Sequence, residues 1–160
     1  MKEIKVESIF KVYDDLNELP YEVSILMHKA MEAREKAYAP YSKFKVGAAI
    51  LLDNGEIITG NNQENVSYPS GLCAERTAVY YAGAQYPDSQ ILKMAITAAS
   101  SNHRTENPIP PCGACRQAIA EYEVKQNEFI EIYFMGEVGK IMKSNSLSNL
   151  LPLLFDKNVL

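Results

Sequence analysis

The amino-acid sequence predicts an α/β fold, a three-layer α/β/α sandwich around a mixed five-stranded sheet. Three observations support this: apolar residues recur at helical spacing in some segments, β-favouring apolar runs occupy others, and the two kinds alternate along the chain. A chain of 160 residues with 47% hydrophobic and 22% charged residues matches one globular domain in size and composition. We expect a lead-in over residues 1–19 and a single domain over residues 20–160.

The first long helix is predicted over residues 21–37, where apolar side chains recur at every third or fourth position. Pro20 suits the first turn of a helix because that turn has no use for the missing N–H. Pro40 ends the helix, since the residue before a proline avoids helical backbone angles. In the lead-in, alternating apolar and polar residues indicate one short strand.

Strands and further helices follow this first helix. Asn54-Gly55 lies between two β-favouring runs, a pattern typical of a hairpin with a type I′ turn. The predicted strands are residues 44–52, 56–60, 91–99, 129–135 and 140–143. The predicted helices are residues 73–84 and 112–125, with a short capped helix over residues 144–155. This order places one mixed sheet between helices on both of its faces.

Charge and segment composition exclude several classes of function. The net charge is −4, and no run of Lys or Arg forms the basic stripe that binding to phosphates requires. No apolar run is long enough to span a bilayer, and the first residues lack the pattern of a secretory signal. We therefore expect a cytoplasmic protein that binds a small molecule and neither nucleic acid nor membrane.

The chain contains three cysteines, Cys73, Cys112 and Cys115. An odd number without an export signal argues against a disulfide framework, which leaves metal binding, redox chemistry or buried structural thiols. Each cysteine lies near the predicted beginning of a helix, where the helix dipole favours thiolates. Three thiolates form a tetrahedral zinc site with one open position, as catalytic zinc requires.

Two neighbours of Cys73 suit chemistry at such a metal. Glu75 does not readily share the ligand geometry, and a carboxylate beside a metal is a natural proton carrier. Arg76 could donate hydrogen bonds to the sulfurs and offset the excess negative charge of three thiolates. Taken alone, each residue has a simpler explanation: a redox dithiol or half of a structural zinc site for the Cys-x-x-Cys pair, and a solvated acid for Glu75. His103 is an alternative fourth ligand.

Taken together, these segments resemble the cytidine deaminase family, specifically its small, three-cysteine, homotetrameric branch. The similarity spans residues 38–155 and includes Tyr41-Ser42-x-Phe44-x-Val46-Gly47-Ala48-Ala49, Asn62-x-Glu64-Asn65, Cys73-Ala74-Glu75-Arg76-Thr77-Ala78, Pro111-Cys112-Gly113-Ala114-Cys115-Arg116-Gln117 and Leu150-Leu151-Pro152. It implies one Zn²⁺ per chain, held by the three cysteines. It also implies hydrolytic deamination of cytidine and deoxycytidine to uridine and deoxyuridine with release of ammonia, a reaction of pyrimidine salvage.

The resemblance also implies roles for individual residues. Glu75 would protonate the ring N3, assist attack of the zinc-activated water on C4 and deliver a proton to the departing amine. The backbone around Ala74 would read the edge of the pyrimidine, and Phe44 would pack against the base. Asn62 and Glu64 match the pair that binds the ribose 3′-hydroxyl.

Two matched positions imply assembly. Tyr68 and Phe155 match residues that reach into the active site of a neighbouring subunit, which implies a homotetramer with shared active sites. The chain departs from the family at Asn61, where a Cys is common, and at Gln63, where a small apolar residue is common. These departures bear on affinity and sugar preference. The competing interpretations are a deaminase of a modified cytosine nucleoside, of the blasticidin type, and a non-enzymatic zinc or redox protein.

Overall fold

The computed structural model describes residues 1–157. Its helices are α1 (Tyr21–Glu35), α2 (Ala74–Gln85) and α3 (Gly113–Gln126). Its strands are β1 (Phe10–Tyr13), β2 (Phe44–Leu52), β3 (Ile57–Asn61), β4 (Ile91–Ser100), β5 (Glu131–Met135) and β6 (Ile141–Ser144). The three long predicted helices and the five predicted strands are confirmed, with ends that differ by a few residues.

The strands form one mixed sheet in the order β1-β6-β5-β4-β2-β3. Strands β4 and β5 pair in parallel, and the other neighbours pair antiparallel. The prediction of five strands is wrong, because the sheet has six. The added strand is β1, in the lead-in, which pairs with β6 so that Phe10 lies opposite Ser144. The alternation in the lead-in predicts a short strand, but its residues do not indicate that the strand pairs with β6, far along the chain.

Helices cover both faces of the sheet, which confirms the three-layer arrangement. On one face, α1 buries a stripe of apolar side chains against the central strands: Val23, Leu26, Met27 and Ala30 pack with Ala49, Ala95 and Tyr133. On the other face, α2 and α3 enclose the larger part of the core, including Ala78, Val79, Ile96, Ile119 and Ile132. Each large apolar side chain fully buried in this way contributes about 1.5–3 kcal/mol to the free energy of unfolding.

The predicted helix over residues 144–155 is wrong. A single 3₁₀ turn, Leu147–Asn149, occupies this segment. Pro152 lacks the N–H that a continuing helix would use, and Leu153 adopts a left-handed backbone with φ 60°. The chain then runs back beside α3, where Gln117 Nε2 donates to the carbonyl oxygen of Phe155 at 2.9 Å.

The position of α2 depends on a glycine in β3. A Cβ atom at Gly60 would lie 2.4 Å from the carbonyl oxygen of Ala74 and 2.6 Å from the amide nitrogen of Ala78. Only a residue without Cβ allows the helix backbone to approach the strand this closely. Within residues 1–157, the helices all lack the combination of length and apolar character needed to cross a bilayer.

Candidate metal centre and adjoining cavity

The sheet topology brings the three cysteines to one place. Strand β2 is antiparallel to both β3 and β4, so these two strands run in the same direction and end at the same edge of the sheet. The helices that follow them therefore begin at that edge. Cys73 is the N-cap residue of α2 and Cys112 that of α3, while Cys115 lies in the first turn of α3.

The three sulfur atoms form one cluster. The Sγ atom of Cys112 lies 4.0 Å from that of Cys73 and 3.5 Å from that of Cys115, and all three lie within 4.8 Å of one another. Tetrahedral zinc with Zn–S bonds of about 2.3 Å would hold its sulfurs roughly 3.8 Å apart. All three cysteines are free thiols, and His103 is exposed and outside the cluster. The arrangement fits one Zn²⁺ held by Cys73, Cys112 and Cys115.

Hydrogen bonds within the cluster favour thiolate at Cys73. A hydrogen bond from Cys115 lowers the pKa of Cys73 to about 5; burial opposes this shift, and the neighbouring Arg76 guanidinium adds to it. The same hydrogen bond, together with burial, raises the pKa of Cys115. Arg76 Nη2 donates to Cys73 Sγ at 3.7 Å, and its Nε is buried without a hydrogen-bond partner among residues 1–157. An anionic sulfur set beside a guanidinium suits a soft divalent cation such as zinc.

Glu75 lies beside the sulfur cluster in the first turn of α2 and is 4% exposed. Burial raises the pKa of its carboxyl, and the negative charge of Cys73 raises it further. These effects outweigh hydrogen bonds from its own backbone N–H and from Cys115. A carboxyl that holds its proton more firmly than usual is suited to exchanging protons with a substrate.

A cavity of about 480 Å³ opens next to Cys73. It brings together five of the residues singled out in the sequence: Asn62, Glu64, Tyr68, Cys73 and Arg76. The wall also includes Gln63, one of the two departures from the family pattern, and five residues to which the sequence pattern assigned no role: Tyr41, Ser42, Asn65, Gly71 and Leu72. The volume accommodates a small organic molecule with the sulfur cluster at one end.

Asn62 and Glu64 are both tied to the segment that leads into β2. The side-chain amide of Asn62 accepts a hydrogen bond from the Val46 N–H at 2.8 Å and donates one to the Phe44 carbonyl at 2.9 Å. The Glu64 carboxylate accepts hydrogen bonds from the backbone N–H groups of Tyr41 and Ser42 and from the Ser42 hydroxyl. Burial raises the pKa of Glu64, but these hydrogen bonds outweigh it and leave a lowered pKa.

Phe44, Ala74 and Phe155 are not part of the cavity lining, whereas Tyr68 lies in its wall. Phe44 is half-buried, and Ala74 is fully buried in the first turn of α2. Tyr68 is 76% exposed and its ring centroid lies 6.2 Å from that of Tyr41. Phe155 is 64% exposed.

Asn61 and Gln63, the two positions that depart from the family pattern, contact each other. The Gln63 side-chain amide donates to Asn61 Oδ1, and Asn61 Nδ2 donates to the Ala33 carbonyl at 3.1 Å. Together they connect the end of β3 to the end of α1, on either side of Asn62. Their side chains therefore support the cavity wall through packing with each other and with α1.

Comparison with known proteins identifies the family. A family model described as the cytidine and deoxycytidylate deaminase zinc-binding region matches residues 21–131. A cytidine deaminase of Halalkalibacterium halodurans is 41% identical over 128 residues, which cover 80% of this chain and 89% of that protein. A cytidine deaminase of Sporosarcina psychrophila is 41% identical over 136 residues, covering 85% and 93% of the two chains.

Solved structures agree with these sequence matches. The crystal structure of a cytidine deaminase from Burkholderia pseudomallei has a TM-score of 0.72 and 38% identity, covering 86% of this chain and all of that one. A cytidine deaminase of Mycobacterium tuberculosis has a TM-score of 0.65 and 32% identity, with 85% and 98% covered. Because the family match spans most of the chain and includes all three sulfur ligands of the zinc centre, the chain belongs to the zinc-binding cytidine and deoxycytidylate deaminase family.

Proposed function

We propose that this protein catalyses hydrolytic deamination of free cytidine and deoxycytidine, giving uridine and deoxyuridine and releasing ammonia. The observation that carries the proposal is the convergence of Cys73, Cys112 and Cys115 at two helix starts, with the buried carboxyl of Glu75 beside them. The relatives that bear the name cytidine deaminase support this activity. They favour it over a blasticidin-type deaminase and over a non-enzymatic zinc or redox protein.

One Zn²⁺ per chain, held by Cys73, Cys112 and Cys115, would act as a Lewis acid and lower the pKa of water to near neutrality. Glu75 accepts a proton from the attacking water and gives it to the ring N3 as the water oxygen bonds to C4. It then carries the second proton of that water to the amino group as the C4–N bond breaks. One water is consumed and one ammonia leaves, so the carboxyl returns to its starting state. Arg76 offsets negative charge on the sulfurs through its hydrogen bond to Cys73.

The substrate is held by residues from two segments. The backbone at Ala74 reads the edge of the pyrimidine, which suits its place between Cys73 and Glu75. Phe44 packs against the base. Asn62 and Glu64 bind the ribose 3′-hydroxyl, and the lowered pKa of Glu64 keeps its carboxylate an acceptor. These assignments place the sugar in the cavity and the amino group at the sulfur cluster.

Assembly into a homotetramer completes the site in this proposal, with Tyr68 and Phe155 entering the active site of a neighbouring subunit. Tyr68 is 76% exposed and Phe155 is 64% exposed in the single chain, so both side chains are accessible to a neighbouring subunit. Sedimentation velocity tests it: four copies per particle are expected, and a stable monomer with full activity would contradict shared sites.

The wider setting follows from the proposed reaction. A free nucleoside substrate and a net charge of −4 agree with a cytoplasmic enzyme of pyrimidine salvage that does not bind nucleic acid. Residues 20–160 are the deaminase domain. Residues 1–19 are its lead-in, of which Phe10–Tyr13 extend the sheet.

The decisive experiment compares Glu75→Gln with the wild-type protein. The variant should keep the fold and one zinc per chain, and its conversion of cytidine to uridine should fall by about 10²- to 10⁴-fold, the usual contribution of a general acid–base group. Zinc content, circular dichroism and the change in ultraviolet absorbance measure the three quantities. Glu56→Gln is the matched control, since Glu56 is an exposed carboxylate in the β2–β3 hairpin, and it should behave as wild type.

The same assay includes deoxycytidine and adenosine. Conversion of both cytosine nucleosides and not of adenosine is the expected result. Wild-type protein that contains one zinc per chain and leaves cytidine unchanged would refute the proposed function. Full activity in the Glu75→Gln variant would refute the assigned proton carrier while leaving the substrate class standing.

A further inference from the structure

The turn that leads into β2 contains a residue in a costly backbone conformation. Lys43 has φ 56°, in the left-handed region that side chains other than glycine and asparagine rarely adopt. Such a residue persists only where the surrounding contacts fix it, and these positions concentrate at functional sites. Here the Lys43 N–H donates to the Ala39 carbonyl at 3.2 Å, and its own carbonyl accepts from the Ser101 N–H at 2.9 Å.

The hydroxyl of Ser42 joins this turn to the cavity. It donates a hydrogen bond to Glu64 Oε1 and accepts one from the Phe44 N–H at 3.0 Å. The second carboxylate oxygen of Glu64 accepts from the backbone N–H groups of Tyr41, at 2.9 Å, and Ser42, at 3.3 Å. One hydroxyl therefore connects Glu64 to the backbone of Phe44 across the strained residue between them.

We propose that Ser42 is a positioning residue, whose hydroxyl fixes the Glu64 carboxylate relative to Phe44 and thereby sets the affinity for the sugar of the substrate. The inference rests on the proposed function, which gives Phe44 to the base and Glu64 to the ribose 3′-hydroxyl. A hydrogen bond to a carboxylate is about twice as strong as one between neutral groups. The pKa of Glu64 is lowered in part by this hydroxyl, which is consistent with a contact to the ionised form.

Loss of the hydroxyl affects binding more than chemistry. Without it, Glu64 keeps two backbone donors, but the Phe44 N–H loses its partner and the turn loses the contact that spans Lys43. The turn can then relax toward ordinary backbone angles, which moves Phe44 and Glu64 apart. Glu75 and the sulfur cluster lie on α2 and α3, outside this turn, so the chemical step keeps its geometry.

The test measures KM and kcat of zinc-loaded Ser42→Ala, Ser42→Thr and wild type with cytidine and with 3′-deoxycytidine. Ser42→Ala should raise KM for cytidine about tenfold, with kcat within about twofold of wild type. Ser42→Thr, which keeps a hydroxyl, should stay close to wild type. With 3′-deoxycytidine the Ser42→Ala penalty should shrink to about twofold, because the group that Glu64 binds is missing.

Ser70→Ala is the matched control. Ser70 is also an exposed serine close to the cavity, but its hydroxyl bonds only to the Ser67 hydroxyl among the contacts within residues 1–157. It should leave both constants unchanged. Thermal unfolding and zinc content verify that each variant is folded and loaded. If Ser42→Ala does not fold, Ser42→Cys replaces it in the same measurements. Because a thiol is a weaker hydrogen-bond donor than a hydroxyl, KM for cytidine should rise in this variant too.

Three results would overturn the inference: an unchanged KM for cytidine in Ser42→Ala, an equal penalty for both substrates, or no recovery in Ser42→Thr. A fall in kcat at constant KM would also overturn it, because it would place Ser42 in the chemical step. Failure of the wild-type protein to deaminate cytidine would instead refute the proposed function, and that measurement comes before any variant is compared.

Discussion

Replacing Gly60 with alanine tests whether the close approach of α2 to β3 sets the geometry of the metal centre. The added Cβ would lie 2.4 Å from the carbonyl oxygen of Ala74, whereas real Cβ contacts essentially never fall below 3.0 Å. The two nearest atoms, the Ala74 carbonyl oxygen and the Ala78 amide nitrogen, belong to the helix backbone and cannot move aside as a flexible side chain would. The first turn of α2 must therefore move by about 0.6 Å or more. Cys73 and Glu75 flank Ala74, so they move with it.

The size of the effect follows from two general magnitudes. Overpacking of this kind costs about 1–3 kcal/mol of the free energy of unfolding. For a chain of this length each kcal/mol lowers Tm by about 2–4 °C, so Gly60→Ala should lower Tm by roughly 2–12 °C. A catalytic group misplaced by about 1 Å costs about 100-fold in rate, so kcat should fall by between about tenfold and 100-fold.

Gly55→Ala separates the loss of stability from the loss of geometry. Gly55 has φ 86° in the β2–β3 hairpin, and a Cβ there would meet nothing within 4 Å. Its left-handed backbone makes alanine cost about 1–2 kcal/mol, far from the sulfur cluster. Thermal unfolding and cytidine turnover should show a similar drop in Tm for both variants and a drop in kcat for Gly60→Ala alone. If Gly60→Ala loses stability but keeps wild-type kcat, the close approach does not control the site.

Two further substitutions address the metal and the acid stability of the fold. Cys112→Ser should lose most of the bound zinc, measured per chain by elemental analysis, and full retention would contradict the ligand set. Glu131 accepts hydrogen bonds from Lys143 and from the Tyr133 hydroxyl; burial raises its pKa, but these contacts outweigh it and hold the pKa below 4.5. Its contribution to stability is therefore present above about pH 4.5 and lost as the pH falls through the lowered value. Glu131→Gln should flatten the acid-side decline in Tm, and parallel declines in the two proteins would contradict the assignment.

Most of the fold could be predicted because its signals are local. Asn54-Gly55 marks the β2–β3 hairpin, although the predicted type I′ turn is wrong, because Gly55 has a positive φ of 86° and Asn54 does not. Pro20 directly precedes α1, whose apolar spacing repeats within fifteen residues, but the helix ends at Glu35, before Pro40. Strand β1 has weaker local signals. Its two middle residues, Lys11 and Val12, point to opposite faces of the sheet and are both exposed. What defines it is its pairing with β6, more than a hundred residues away, and such a pairing is not encoded in either segment alone.

The failed helix over residues 144–155 has a tertiary cause as well. Ser146 and Leu147 fit a helix start, and Leu147 and Leu150 have helical spacing. In the folded chain, however, the Glu123 carboxylate of α3 accepts hydrogen bonds from the Ser146 hydroxyl and from the Leu147 N–H. These contacts fix one 3₁₀ turn against α3, and Pro152 prevents any extension. A carboxylate on α3, distant in sequence, therefore determines the backbone of this segment.

The metal centre and the cavity wall also differ in how far the sequence predicts them. Cysteines at the start of two helices, with an acid two residues later, are visible in the sequence, and their convergence follows from two strands that run in the same direction. The cavity wall depends on sheet register. Gly47 lies opposite Asn61 at the end of the β2–β3 pairing. The Asn62 side-chain amide then bonds the Val46 N–H and the Phe44 carbonyl, as a paired strand would.

This division has a functional consequence. The proposed proton carrier, Glu75, and the sulfur cluster belong to helix starts on one face of the sheet, whereas the groups proposed to bind the sugar belong to the turn and strand ends around β2. A change in the turn at Ser42 should therefore alter KM, and a change under α2 at Gly60 should alter kcat. Because the Ser42 hydroxyl bonds to Glu64 and Phe44 whereas Gly60 faces Ala74 and Ala78, the two changes act on different partners, and a variant that combines them should give nearly additive effects on the free energy of activation. Strong coupling between Ser42→Ala and Gly60→Ala would show that the strand register and the helix starts move as one unit.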